Sequence, residues 1–151
     1  MSTIGFTASS DGLRALLEQA AACVPRLSPL EALAAMHHGD VVVDLRSIAA
    51  RSRDGIVPGS VHVPLTVLQW RLEPAGEHRT PYIAEDERVV LLCDHGCSSL
   101  LAAASLLAMG VDAADVVGGV EAWRTDGLPL IPWSDPPLAP GELQGMRPAD
   151  G

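Results

Sequence analysis

The chain has 151 residues, enough for one domain with a real core, and its 48% hydrophobic and 19% charged residues are those of a globular protein rather than a disordered one. A net charge of −9 argues against nucleic acid or an anionic membrane as partner, and predicts repulsion of small anions except where the backbone gathers positive potential. Three cysteines without a Cys-x-x-Cys pair make no disulfide framework, so free thiols and a cytoplasmic setting are expected; the first residues lack a secretory pattern, and no apolar run approaches the ~20 residues of a membrane span.

Met1 to Ser10 is small and polar and reads as loose. Asp11 is placed to cap a helix from about Gly12 to Cys23, with Leu13, Leu16, Leu17 and Ala20 on one face, ended by Pro25. Ser28-Pro29-Leu30-Glu31 is a helix start, with Ser at N-cap, Pro at N1 and Glu at N3; this helix runs to about His38 and stops at Gly39. Val41 to Leu45 is a buried strand, residues 48–53 a short helix or turn, residues 55–59 a loop, and Val61-His62-Val63 a short strand closed by Pro64. Thr66 is placed to cap a helix to about Leu72. Glu73 to Glu87, with Pro74, Gly76, Pro81 and an acidic cluster, reads as a long surface loop. Val89 to Leu92 is an apolar strand, and a helix from Leu100 to Met109 ends at Gly110. Val116-Val117 closes a further strand, Gly118-Gly119 turns the chain, and a helix from Val120 to Thr125 stops at Gly127. Prolines from 129 onward exclude regular structure, and Trp133 is placed to pin the start of this tail to the body. Strands alternating with helices predict an α/β domain around a mostly parallel sheet.

The stretch that organises the rest is Cys93-Asp94-His95-Gly96-Cys97-Ser98-Ser99, between the apolar strand and the Ala/Leu-rich helix. Main-chain N–H groups at a helix start favour negative charge, so a cysteine there gains thiolate character and nucleophilicity. The alternative is a small buried thiol at a strand end. Ligands of parallel α/β sheets bind beyond the carboxyl ends of strands, where Cys93 lies, which favours the reactive reading.

Four segments then carry a resemblance. Val41 to Arg46 is an apolar strand ending in Asp-x-Arg, and Gly55 to Pro64 reads GIVPGSVHVP. Cys93 to Ser99 fits Cys-x-His-Gly-x-Ser-Ser, and Gly118-Gly119-Val120-Glu121-Ala122-Trp123 precedes Gly127-Leu128-Pro129. In this order and at these spacings the chain resembles the single-domain rhodaneses, a family of sulfurtransferases. The resemblance covers about residues 28–132. It implies a rhodanese-like three-layer fold, a mostly parallel central sheet flanked by helices, with residues 1–27 adding an extra N-terminal helix and 133–151 a Pro/Gly-rich tail. It further implies Cys93 as the catalytic thiolate and persulfide carrier. Asp94, His95, Gly96, Cys97, Ser98 and Ser99 would form the substrate and persulfide cradle, their amides facing the sulfur, and Asp44 and Arg46 would support the loop.

Departures from the family pattern set further expectations. Asp94 stands where an arginine is common and Ser98 where Arg or Thr is common, so a dianionic donor such as thiosulfate is expected to be poor and a thiol or protein persulfide better. Ile56 replaces the family's histidine and is expected to be structural. Cys97 is either a resolving thiol or a loop-lining one without a role. Arg46 is the best cation to approach the pocket, and Trp70 and Arg71 either line its mouth or belong to a packed amphipathic helix. His37, His38, His62 and His78 have no ligand spacing, so neither metal nor cofactor is expected. Partners are then a small sulfur donor and acceptor or a protein persulfide, in sulfur metabolism. The N-terminal helix either offers a docking or homodimer surface or packs on the sheet. Two rival functions stand beside the transferase. A phosphatase of similar fold requires an arginine closing a Cys-x5-Arg loop, where this chain has Ser99. A non-catalytic or redox- and sulfur-sensing module would use Cys93 and Cys97.

Overall fold

The computed structural model describes residues 12–133. At its centre is a five-stranded sheet of β1 (Arg26–Leu27), β2 (Val41–Asp44), β3 (Val61–His62), β4 (Val89–Leu92) and β5 (Ala113–Val116), in the order β1-β5-β4-β2-β3. Every neighbouring pair is parallel. Central parallel strands are covered on both faces, which is why β2 and β4 are nearly unbroken apolar runs, buried along their whole length.

The two-residue alternation of the strands divides the core. Val41, Val43, Val89, Leu91 and Ala113 face α1 (Leu13–Cys23), α4 (Leu68–Leu72) and α5 (Ser98–Ala108), meeting Ala20, Leu68, Leu72, Ala103 and Leu106. Val42, Val90, Leu92, Ala114 and Val116 face α2 (Pro29–His37) and α6 (Gly119–Thr125), meeting Ala32, Val120 and Trp123. The short α3 (Ile48–Asp54) follows the carboxyl end of β2. This is the expected three-layer α/β arrangement. Among the described residues no helix is long and apolar enough to cross a membrane.

Local chemistry accounts for most element boundaries. The Ser28 hydroxyl accepts from Glu31 N at 3.1 Å while Ser28 N donates to Glu31 Oε1 at 2.8 Å, completing the capping box that starts α2. The α1 helix begins after Gly12 with no side-chain cap, and Asp11 lies outside the described residues. Within α1, Ala20 is buried but Leu13 is exposed, so the apolar face expected of it is only partly covered. Thr66 does not cap: it sits inside a 3-10 turn (Leu65–Val67) set up by Pro64, and α4 starts only at Leu68. Residues 73–88 form no helix or strand, yet they are anchored. Thr80 and Ile83 are buried, and Arg79 donates to Leu72 O at 3.0 Å and Ile83 O at 2.8 Å. The end of the described chain is tied down just before Trp133, by an antiparallel bridge between Ile56 and Ile131 and by Trp123 Nε1 donating to Pro129 O at 2.8 Å.

The element that the residue pattern did not announce is β1. Pro25 ends α1 and simultaneously begins an edge strand: Asp115 N donates to Pro25 O and Val117 N to Leu27 O, so Arg26 lies beside Asp115.

Candidate active site

Cys93 follows β4 at the carboxyl end of the sheet's central strand and is 5% exposed. Its Sγ accepts hydrogen bonds from Gly96 N at 3.1 Å and Ser99 N at 3.3 Å. Burial pushes this thiol up, but the hydroxyls of Ser98 and Ser99 and the amides of Ser99 and Gly96 outweigh it and hold the thiol below its ordinary value. The Ser99 hydroxyl also donates to Asp115 Oδ2 at 3.0 Å, which ties this side of the loop to β5.

The loop takes this shape because its carbonyls are taken from outside. Val120 N donates to Cys93 O at 2.9 Å, Glu121 N to Asp94 O at 3.1 Å, and Arg26 Nη2 to Gly96 O at 2.8 Å. In a trans peptide the N–H points opposite to the C=O, so the amides of Asp94, His95 and Cys97 are turned away from α6 and Arg26. The turn before α6 must come very close for this. A Cβ on Gly119, whose φ is +62°, would stand 2.4 Å from Cys93 O; one on Gly96, with φ +89°, would stand 2.6 Å from Gly118 N. Both approaches are to main chain, which cannot swing aside. Gly119→Ala is therefore expected to lose about 1–3 kcal/mol of stability and to displace the Cys93 carbonyl. The check is a melting curve alongside the rate of Cys93 alkylation, which should fall as the amides lose aim.

The family model for the rhodanese-like domain matches residues 28–126, more than half of the chain. The chain belongs to the rhodanese-like domain family. Its curated relatives include the thiosulfate sulfurtransferase GlpE of Pseudomonas syringae pv. syringae, 36% identical over 101 residues, which span 66% of this chain and 87% of that protein. GlpE of Pseudomonas savastanoi pv. phaseolicola is 34% identical over 103 residues, 66% of this chain and 86% of that protein. Among solved structures, a protein of unknown function from Rhodopseudomonas palustris, described as a possible tyrosine phosphatase, superposes with a TM-score of 0.74 and 31% identity, covering 83% of this chain and 98% of that one. Family membership and the two GlpE relatives support sulfurtransferase activity in general.

In this rhodanese domain Asp44 and Arg46 form a buried plug. Asp44 Oδ1 accepts from Arg46 N and Nε, both at 3.0 Å, and Oδ2 from Arg46 Nη2 at 2.9 Å and Arg51 Nε at 3.1 Å. Arg46 Nη2 also donates to Gly55 O at 2.7 Å. Burial pushes Asp44 up, but its bonds to Arg46 and the charges of Arg46 and Arg51 prevail and hold it below the usual carboxylate range. The Arg46 side chain has no exposed surface, so what it shows the pocket is main chain; the expectation of Arg46 as the pocket's cation is corrected. The plug reaches the nucleophile through the main chain, because Leu45 N donates to Leu92 O, one residue before Cys93.

A cavity of about 400 Å³ opens over Cys93, walled by Leu45, Pro64, Leu65 and Thr66, with Ser47, Asp94 and Ser98 among its polar groups. The rhodanese loop residues divide around it. Gly96 and Ser99 face the sulfur with their amides, and Ser98 does so with its hydroxyl. Asp94 lines the cavity, 41% exposed, with Arg53 Nη2 at 3.9 Å. His95, 71% exposed, turns to Glu121 Oε2 at 3.4 Å, so its side chain stays outside the cradle. Cys97 is exposed and is itself the N-cap residue of α5, so Ser98 and Ser99 stand in the helix's first turn rather than capping it. Trp70 is 58% exposed and lies outside the cavity lining, on a helix that packs through Leu68 and Leu72. Arg71 donates to His78 O. Two residues of consequence were missed: Arg26 and Asp115. The available signal was Asp115, a carboxylate in the buried run Ala113–Val116 that requires a cationic partner.

Proposed function

We propose that this rhodanese moves a sulfane sulfur in two half-reactions through a persulfide on Cys93. The Cys93 thiolate attacks the outer sulfur of a donor persulfide; the donor's S–S bond breaks, its thiolate leaves, and Cys93 holds the transferred sulfur as R–S–S⁻. An acceptor nucleophile then attacks that outer sulfur, and the Cys93 thiolate is the leaving group. The observation that carries the reading is the pair of amides on a thiol at the end of the central strand. The outer sulfur would sit about 2 Å beyond Sγ, and the remaining loop amides, turned away from α6 and Arg26, are the donors expected to meet its charge.

The donor we propose is a thiol or protein persulfide in preference to thiosulfate. The cavity wall offers Asp94, the neutral hydroxyls of Ser47, Thr66 and Ser98 and apolar side chains, and its arginine is turned into Asp44. The curated relatives are thiosulfate sulfurtransferases, which makes thiosulfate the comparison to run. Intact-mass spectrometry after incubation with thiosulfate or with a small thiol persulfide should show one added, cyanide-labile sulfur, acquired at lower concentration from the persulfide. Equal loading by both donors would remove the preference. Absence of loading from either would turn the reading to a sulfur- or redox-sensing module, which the exposed Cys97 on the same loop favours, and a Cys97→Ser variant would then lose its oxidation response. Phosphatase chemistry, suggested by the description of the Rhodopseudomonas protein, is disfavoured because Ser99, bonded to Asp115, occupies the place where a phosphoryl-clamping arginine is needed.

A further inference from the structure

An ion pair on β1 and β5 holds both residues whose amides reach Cys93. Arg26 donates from Nε to Asp115 Oδ1 and from Nη2 to Asp115 Oδ2, each at 2.9 Å. The same Nη2 donates to Gly96 O at 2.8 Å, and Asp115 Oδ2 accepts the Ser99 hydroxyl at 3.0 Å. Gly96 and Ser99 are the two residues whose N–H groups donate to Cys93 Sγ. Neutralising the fully buried Asp115 would require only the Arg26 fork; here each partner makes one additional contact, and each goes to a different cradle residue. Gly96, at φ +89°, has main-chain freedom that other residues lack, and the bond from Arg26 fixes its carbonyl.

We propose that Arg26 and Asp115 are positioning residues for the nucleophile: together they hold Gly96 and Ser99 where their amides meet the Cys93 sulfur, so that Cys93 reactivity depends on an ion pair that makes no hydrogen bond to it. This rests on the reading of Cys93 as the nucleophile and adds what keeps its cradle in place. The guanidinium also lies within charge range of Cys93 and Cys97.

The test uses the full chain carrying Arg26→Gln together with Asp115→Asn. The two amides leave no buried charge unpaired and keep the local net charge at zero, and a separate Arg26→Lys variant, which keeps the cation near Cys93, distinguishes position from field. The readout is the pH dependence of iodoacetamide alkylation, with tandem mass spectrometry to separate Cys93 from Cys97 and circular dichroism to establish the folded state. Cys93 is expected to titrate about one unit higher than in the wild type, with roughly tenfold slower alkylation below that pKa. Arg26→Lys, which keeps the charge but not the fork, should fall between. A folded double variant in which Cys93 titrates as in the wild type overturns the proposal; should the double variant not fold, a wild-type profile in Arg26→Lys overturns it instead. Sulfur loading run in parallel separates the two readings. Wild-type protein that loads no sulfur defeats the transferase, while the alkylation profiles still decide the positioning role.

Discussion

Serine in place of Cys93 is expected to abolish sulfur loading and to lower sulfur transfer by roughly three orders of magnitude or more, with the fold unchanged. The substitution alters one atom in a site whose shape is set by main-chain contacts to α6 and Arg26, so the cradle persists around the hydroxyl. A serine hydroxyl does not ionise near neutral pH, and no persulfide can form on oxygen. The check is intact mass and turnover with the better donor, beside a melting curve. Turnover that survives in a folded Cys93→Ser protein would move the nucleophile elsewhere, with Cys97 the first place to look. A pH dependence accompanies this result. Because the cradle holds Cys93 below its ordinary value, the thiolate, and with it activity, should persist to more acidic pH than for a free thiol, then fall as pH drops through the lowered pKa.

The second large effect is on stability. Asp44→Asn removes the charge from a carboxylate that receives four hydrogen bonds from two arginines. The Arg46 guanidinium stays buried with only neutral oxygens to bond, which should destabilise the domain by about 3–5 kcal/mol. Urea midpoints at neutral pH measure it. The pH dependence has a definite sign. Asp44 is depressed in the folded state, so its contribution is complete above the unfolded carboxylate value and is lost as pH falls through the folded one. Wild-type stability should therefore decline on the acid side, and the part of that decline due to Asp44 should be missing in Asp44→Asn. An unchanged urea midpoint at neutral pH would show that the plug is dispensable.

These two effects were legible in the amino-acid order to different degrees. Cys93 stood out because its signal is local: an apolar strand, a loop with Gly96, then a helix, all within a dozen or so residues, which is also why the α2 capping box was readable. Asp44 and Arg46 were readable as support because they are two residues apart on one strand end, but the direction of the Arg46 guanidinium, toward Gly55 rather than the pocket, depended on where the following turn returns. Gly118-Gly119 could be seen as a turn, whereas the reason for glycine, a main chain 2.4 Å from a Cβ on Gly119, exists only once α6 meets the Cys93 loop. Arg26 was invisible for a similar reason. Its partner is 89 positions away, and a two-residue strand beginning at a proline leaves no periodicity to detect.

The carbonyls of Cys93 and Asp94 are bonded by amides of Val120 and Glu121, Gly96 is held by Arg26, and Asp115 braces both Arg26 and Ser99. Of these holding residues only Arg26 precedes the loop; Asp115, Val120 and Glu121 come after it in the chain. During synthesis from the N-terminus, Cys93 emerges before the strand and helix that shape its surroundings. Until those later residues dock, the Cys93 loop lacks most of its braces, so the heightened reactivity of the thiol waits on β5 and α6.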